Sequence, residues 1–215
     1  MTQRILGPQQ VVRGRPFTKP SLYRADTRAL TYMLHDLKCL IDADRIPVVP
    51  FTAIEWEVNG LSRRSMVCDL ETLTGRHKEL CFVGFFGERH LDRSMEPLES
   101  ANAELVLEFR NYPGILSYSS MELYDGNWAN LVIHDVPKAR EYWRSSERHA
   151  EAAERLSPQF YQSVRIHNGT IPGGLSGGGD VVIQTTKYWD YRKSRVWQAV
   201  RDLTAGNAPD IHANA

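Results

Sequence analysis

The segment 114–135, GILSYSSMELYDGNWANLVIHD, reads as two strands joined by a tight turn. Apolar residues dominate Gly114 to Leu123 and Trp128 to His134, and Tyr124-Asp125-Gly126-Asn127 between them carries the residue types that chain reversals favour. Behind it, Pro137 can open a helix, Ser145-Ser146 interrupts that helix, and it ends before Ser157-Pro158. Tyr161 to His167 is then a further strand. Upstream, Leu80 to Gly87 (LCFVGFFG) is almost continuously apolar, as a central strand covered on both faces must be. Pro97 starts a helical stripe of Leu98, Ala101, Leu105, Val106 and Phe109 that stops at Tyr112-Pro113-Gly114. The resulting order over residues 79–169 is βαββαβ, whose usual sheet order is 4-1-3-2 with both helices on one face.

The remaining elements extend this unit. Residues 1–25 hold Gly7, Pro8, Gly14, Pro16 and Pro20 without periodicity and read as an extended arm that wraps a neighbour or stays unstructured. Asp26-Thr27 can cap a helix running to Ala43, with Leu30, Leu34, Leu37 and Ile41 at helical spacing. Strands follow at Phe51 to Val58 and Ser65 to Glu71 around Asn59-Gly60, a favoured hairpin turn. After the glycine-rich loop Pro172 to Gly179 come a strand, Asp180 to Tyr191, a short amphipathic helix, Ser194 to Leu203, and a frayed tail, 206–215. The fold class is α+β: a ferredoxin-like βαββαβ unit with an antiparallel sheet, extended by an N-terminal helix and hairpin and a C-terminal strand. Residues 26–205 form one domain.

Lysine plus arginine number 26 and aspartate plus glutamate 26, so no overall field draws the chain to a phosphate backbone or an anionic membrane. Nucleic acid and membrane are therefore not expected partners, and zero net charge favours self-association. Cys39, Cys68 and Cys81 are odd in number and lack metal-ligand spacing; they read as reduced thiols of a cytoplasmic protein, in keeping with an N-terminus that has no apolar run of signal-peptide length. Gly174-Leu175-Ser176-Gly177 is not a nucleophile elbow, and no helix opens behind the glycine-rich loop as a dinucleotide site requires.

At Tyr142-Trp143-Arg144-Ser145, followed by His149, the chain resembles the dimeric α/β-barrel superfamily, which includes antibiotic-biosynthesis monooxygenases, chlorite dismutases and haem-containing aldoxime dehydratases. The resemblance implies a homodimer closed sheet to sheet. Carried over to these residues, it implies haem b held by His149 and Trp143, with His149 as the axial metal ligand and His167 as the distal catalytic group. The expected function is haem-dependent redox or dehydratase chemistry on a small hydrophobic or aromatic substrate. The alternatives are a cofactor-free monooxygenase-like enzyme and a non-catalytic ligand-binding or interaction protein.

Read from the residues alone, His149 is equally a solvated helix residue, and His167 a strand-end residue bonded to a loop carbonyl. His134 is a second catalytic candidate: with the third and fourth strands of the unit parallel, His134 and His167 fall at one edge, about 10 Å apart across the first strand. That is too far for one metal ion but suits opposite sides of one ligand. Glu55, Glu57 and Asp69 are placed on strands, where a carboxylate facing an apolar pocket could move protons unless an arginine such as Arg63, Arg64 or Arg165 pairs with it.

Overall fold

Among the described residues nine strands hydrogen-bond into one mixed sheet, and the apolar run LCFVGFFG lies at its centre. The structure is a computed structural model and describes residues 4–75, 79–94, 96, 104–177 and 180–204. In chain order the elements are β1 (Arg4–Leu6), α1 (Leu22–Asp42), β2 (Ala53–Val58), β3 (Leu61–Val67), α2 (Leu70–Thr74), β4 (Glu79–Arg89) and α3 (104–108). Then follow β5 (Ile115–Glu122), β6 (Trp128–His134), α4 (Pro137–Arg144), α5 (Glu147–Glu151), α6 (Ser157–Phe160), β7 (Tyr161–Pro172), β8 (Val182–Asp190) and β9 (Trp197–Asp202). The sheet order is β1-β9-β8-β7-β4-β6-β5-β3-β2, and every neighbouring pair is antiparallel except β1 with β9. The central strands β7-β4-β6-β5 thus follow the 4-1-3-2 order. Pro97, Leu98 and Ala101 of the expected crossover helix, and the tail 206–215, lie outside the described residues.

Both faces of the sheet are covered. On one face Phe82 and Phe86 of β4, Leu131 and Ile133 of β6, and Met121 of β5 pack against Leu30, Met33, Leu34 and Leu37 of α1. Each fully buried leucine there contributes roughly 1.5–3 kcal/mol. On the other face Val106, Phe109 and Trp143 from the crossover segments pack on Met66, Tyr118 and Val132. The face left for a partner's sheet in a dimeric barrel is filled, over β4 to β6, by α1 of the same chain. No helix among the described residues is long and apolar enough to cross a membrane.

Several expectations are corrected. The N-terminal arm carries regular structure: β1 pairs with β9 and Pro16–Thr18 forms a helical turn. Helix α1 starts at Leu22, and Asp26 is a buried residue one turn inside it rather than its cap. Strand β3 begins four residues early, because Asn59 (φ 54°) and Gly60 (φ 74°) both take the left-handed backbone of a two-residue hairpin turn and pair Val58 directly with Leu61. Asp69 lies off the strand and caps α2, its carboxylate accepting from the backbone N–H and hydroxyl of Thr72. Pro158 sits inside α6 rather than beyond a helix end. The expected C-terminal helix is strand β9, whose backbone groups are satisfied by ladders to β8 and β1 on either side.

Candidate functional site

On the α1 face, alternation along β7 places Arg165 and His167 side by side, and both meet Asp26 of α1. Arg165 grips the carboxylate with two parallel hydrogen bonds, Nε to Oδ2 and Nη2 to Oδ1, each 2.9 Å. This paired geometry is the strong form of an arginine–carboxylate contact. His167 is 0% exposed and is held at both ring nitrogens: Nε2 lies 2.8 Å from Asp26 Oδ2 and Nδ1 lies 2.8 Å from Thr186 Oγ1. The carboxylate can only accept, so Nε2 carries the proton and Nδ1 accepts from the threonine hydroxyl.

Charge states follow from these contacts. Burial alone would raise the Asp26 pKa, but the His167 hydrogen bond and the Arg165 guanidinium outweigh it and hold the carboxyl below its ordinary range. Burial of His167 lowers its pKa despite the opposing pull of Asp26, so the imidazole stays neutral. The unit is therefore a matched Asp26–Arg165 ion pair fixed by a neutral histidine.

Arg165, with its side chain 15% exposed, also lines an open cleft of about 300 Å³. Phe86 of β4 and Phe17 of the N-terminal arm are buried beside it, and Leu22, Leu123 and Trp128 add apolar wall. Lys19, Glu88, Asp125 and Asn127 complete the lining, and Glu88 accepts a 2.8 Å hydrogen bond from the Ser163 hydroxyl. The volume is at the small end of ligand sites, and the composition is typical of one: aromatic and aliphatic walls with a few fixed polar groups. Chemically, a guanidinium at the wall polarises a ligand oxygen, and a carboxylate such as Glu88 can accept a proton.

The histidines singled out from the sequence are not brought together. His134 pairs with Cys81 and His167 with Gly84, three positions apart on β4, so the two side chains lie on opposite faces of the sheet. His134 donates from Nδ1 to the carbonyl of Val136 at 2.8 Å, at the far end of β6 from Trp128. His167 does not meet a loop carbonyl. Being fully enclosed, it reaches the cleft through its neighbours: Asp26 and Arg165, and the Phe86 ring 5.4 Å away. Glu55 pairs with Arg64 at the surface.

His149 and Trp143 do lie together, across the break at Ser145-Ser146, where Ser146 Oγ accepts from the His149 backbone N–H. Their rings meet edge to face at 4.5 Å, Trp143 meets Phe109 at 5.1 Å, and Phe109 meets Tyr118 at 5.9 Å. Burial lowers the His149 pKa to about 4. A haem held by His149 needs a porphyrin-wide slot beside the imidazole. Among the described residues aromatic rings pack that side, and the cleft lies on the other face of the sheet. The residues present do not fit haem, and no group of three or more metal-ligating side chains occurs among the described residues.

Asp26, Arg201 and Tyr23 carry the network around the cleft and were not singled out as site residues from the sequence. The available signal was Asp26 itself, one helical turn before Leu30 on the stripe that continues through Leu34 and Leu37, where a charge is out of place unless it is paired.

No family model and no curated protein matches the chain. Among solved structures it is similar to a protein from Shewanella oneidensis (14% identity, TM-score 0.38, covering 45% of this chain and 97% of that one). It is also similar to SnoaB, a cofactor-independent oxygenase from Streptomyces nogalater (15% identity, TM-score 0.35, 44% and 92%). A third match is a major regulator of staphylococcal pathogenesis (15% identity, TM-score 0.35, 65% and 91%). Similarity at this level assigns neither family nor activity.

Proposed function

We propose that the chain binds a small aromatic molecule in the cleft between the N-terminal arm and β4, and acts on it without a bound cofactor. The scaffold in this reading is a ferredoxin-like βαββαβ unit with added strands, working in the cytoplasm. Its homodimer uses a surface other than the sheet face that α1 covers. The observation that carries the proposal is Arg165, which lines an aromatic cleft while its other contacts lock it to a buried, charge-matched carboxylate.

The charge balance narrows the ligand. Asp26 already neutralises Arg165, so a second full anion there would be unmatched in a partly buried place, whereas a neutral carbonyl or phenol oxygen satisfies an N–H donor without that cost. An aryl ketone therefore suits the site better than an aryl carboxylate.

The test is a titration with 2-acetylnaphthalene and with 2-naphthoate, followed by the fluorescence of Trp128 against a Trp128→Phe control. The reading predicts tighter binding of the ketone and an affinity at least about tenfold weaker in Arg165→Met, the effect of losing one charged hydrogen bond. Binding of both probes unchanged by Arg165→Met would defeat it.

A further inference from the structure

We propose that Arg201 is the positioning residue that builds the cleft, by latching the N-terminal arm into the place where Pro16, Phe17 and Lys19 become cleft wall. The inference rests on the reading of that cleft as the binding site.

Arg201 is 0% exposed on β9. A guanidinium has five N–H donors, and here all of them have oxygen acceptors. Nε donates to the carbonyl of Gly7 at 3.1 Å, and Nη2 donates to the carbonyls of Gln10 and Thr18, the latter at 2.9 Å. Nη1 donates to the hydroxyls of Tyr23 at 3.1 Å and Tyr188 at 2.8 Å. One side chain thus gathers three widely spaced carbonyls of the arm onto a single plane. Lysine, with one nitrogen, cannot reproduce this fork.

The latch is directly connected to the cleft. Phe17, a cleft residue, immediately precedes Thr18, so the carbonyl that Arg201 holds fixes where the phenyl ring stands. The ring rests on Tyr188 and Trp197, each 6.3 Å away. On the other side, the hydroxyls of Tyr23 and Tyr188 hydrogen-bond to each other, and the Tyr23 ring lies 5.5 Å from that of His167, which fixes Asp26 and so Arg165. Arm and sheet walls of the cleft therefore share one network. A ligand touching both stabilises the seated arm, and the seated arm strengthens binding by the same factor.

The arm carries its own reporters, because trypsin can cut after Arg4 and Arg13, whereas Arg15 and Lys19 are each followed by a proline that blocks cleavage. Trypsin digestion of the whole chain, wild type, Arg201→Met and Arg201→Lys, with and without saturating 2-acetylnaphthalene, tests the latch. Expected are cuts after Arg4 and Arg13 at least about tenfold faster in Arg201→Met, with the remaining chain intact, and a similar loss of probe affinity. Arg201→Lys should fall between, and the probe should slow the same cuts in the wild type. That last measurement stands even if Arg201→Met fails to fold. A probe that binds near Trp128 yet leaves the arm cuts unchanged overturns the latch. A probe that does not bind at all overturns the underlying reading of the cleft, and the latch then stands or falls on the cutting rates of the variants alone.

Discussion

Asp26→Asn removes the charge at the centre of the network while keeping its shape. Asp26 accepts three hydrogen bonds, two from Arg165 at 2.9 Å and one from His167 at 2.8 Å. An asparagine amide offers one oxygen, so in either orientation its NH₂ group faces a donor and at least one of the three bonds is lost. Removing one partner of a buried ion pair costs about 3–5 kcal/mol. Arg165 can turn part of its guanidinium to water in the cleft, which puts the expected loss near 3 kcal/mol. For a chain of this length that corresponds to about 6–12 °C in melting temperature.

The assay is urea unfolding at pH 7 followed by far-ultraviolet circular dichroism, repeated down the acid limb. The folded-state pKa of Asp26 lies below its ordinary 3.8, so its contribution is complete above that pH and is lost as the pH falls through the folded value. The variant should lack this part of the wild type's acid sensitivity. A loss at pH 7 below about 1 kcal/mol, the scale of a solvent-exposed pair, would refute the reasoning.

His149 should titrate near pH 4 in an NMR experiment, against its ordinary 6.5. Because the unfolded chain binds that proton more readily, stability should fall as the pH drops from 6.5 to about 4, and His149→Ala should flatten that slope; a midpoint near 6.5 would place the ring in water. Gly169→Ala should cost about 3 kcal/mol or more, since its Cβ would stand 1.9 Å from the Val182 carbonyl oxygen and 2.8 Å from the Phe82 ring. Gly60→Ala, with open space around it but φ of 74°, should cost only about 1 kcal/mol, and comparable melting temperatures for the two variants would contradict this.

The strands whose character is set by their own side chains were readable from sequence. LCFVGFFG is central because its apolar run suits no half-exposed position, and the Tyr124–Asn127 reversal enforces the pairing of β5 with β6. Elements whose state depends on a distant partner were not. Val196, Val200 and Leu203 fit a helical stripe as well as Trp197, Ala199 and Arg201 fit alternation, and only the flanking strands β8 and β1 decide for the strand. The site was hidden for the same reason. Asp26 before Thr27 resembles a helix cap, and its role appears only when β7 brings Arg165 and His167 under α1. His167 stood out in the sequence only as a histidine near a strand end, and the partner that sets its surroundings, Asp26, lies 141 residues away.

The central claim is that the cleft beside Arg165 is the ligand site. Amide shift mapping of the ¹⁵N-labelled chain during titration with 2-acetylnaphthalene tests it most directly. The account predicts shifts concentrated at Phe17, Gly87, Leu123, Asn127, Trp128 and Arg165. Shifts concentrated instead at Trp143 and His149, on the opposite face of the sheet, would contradict it.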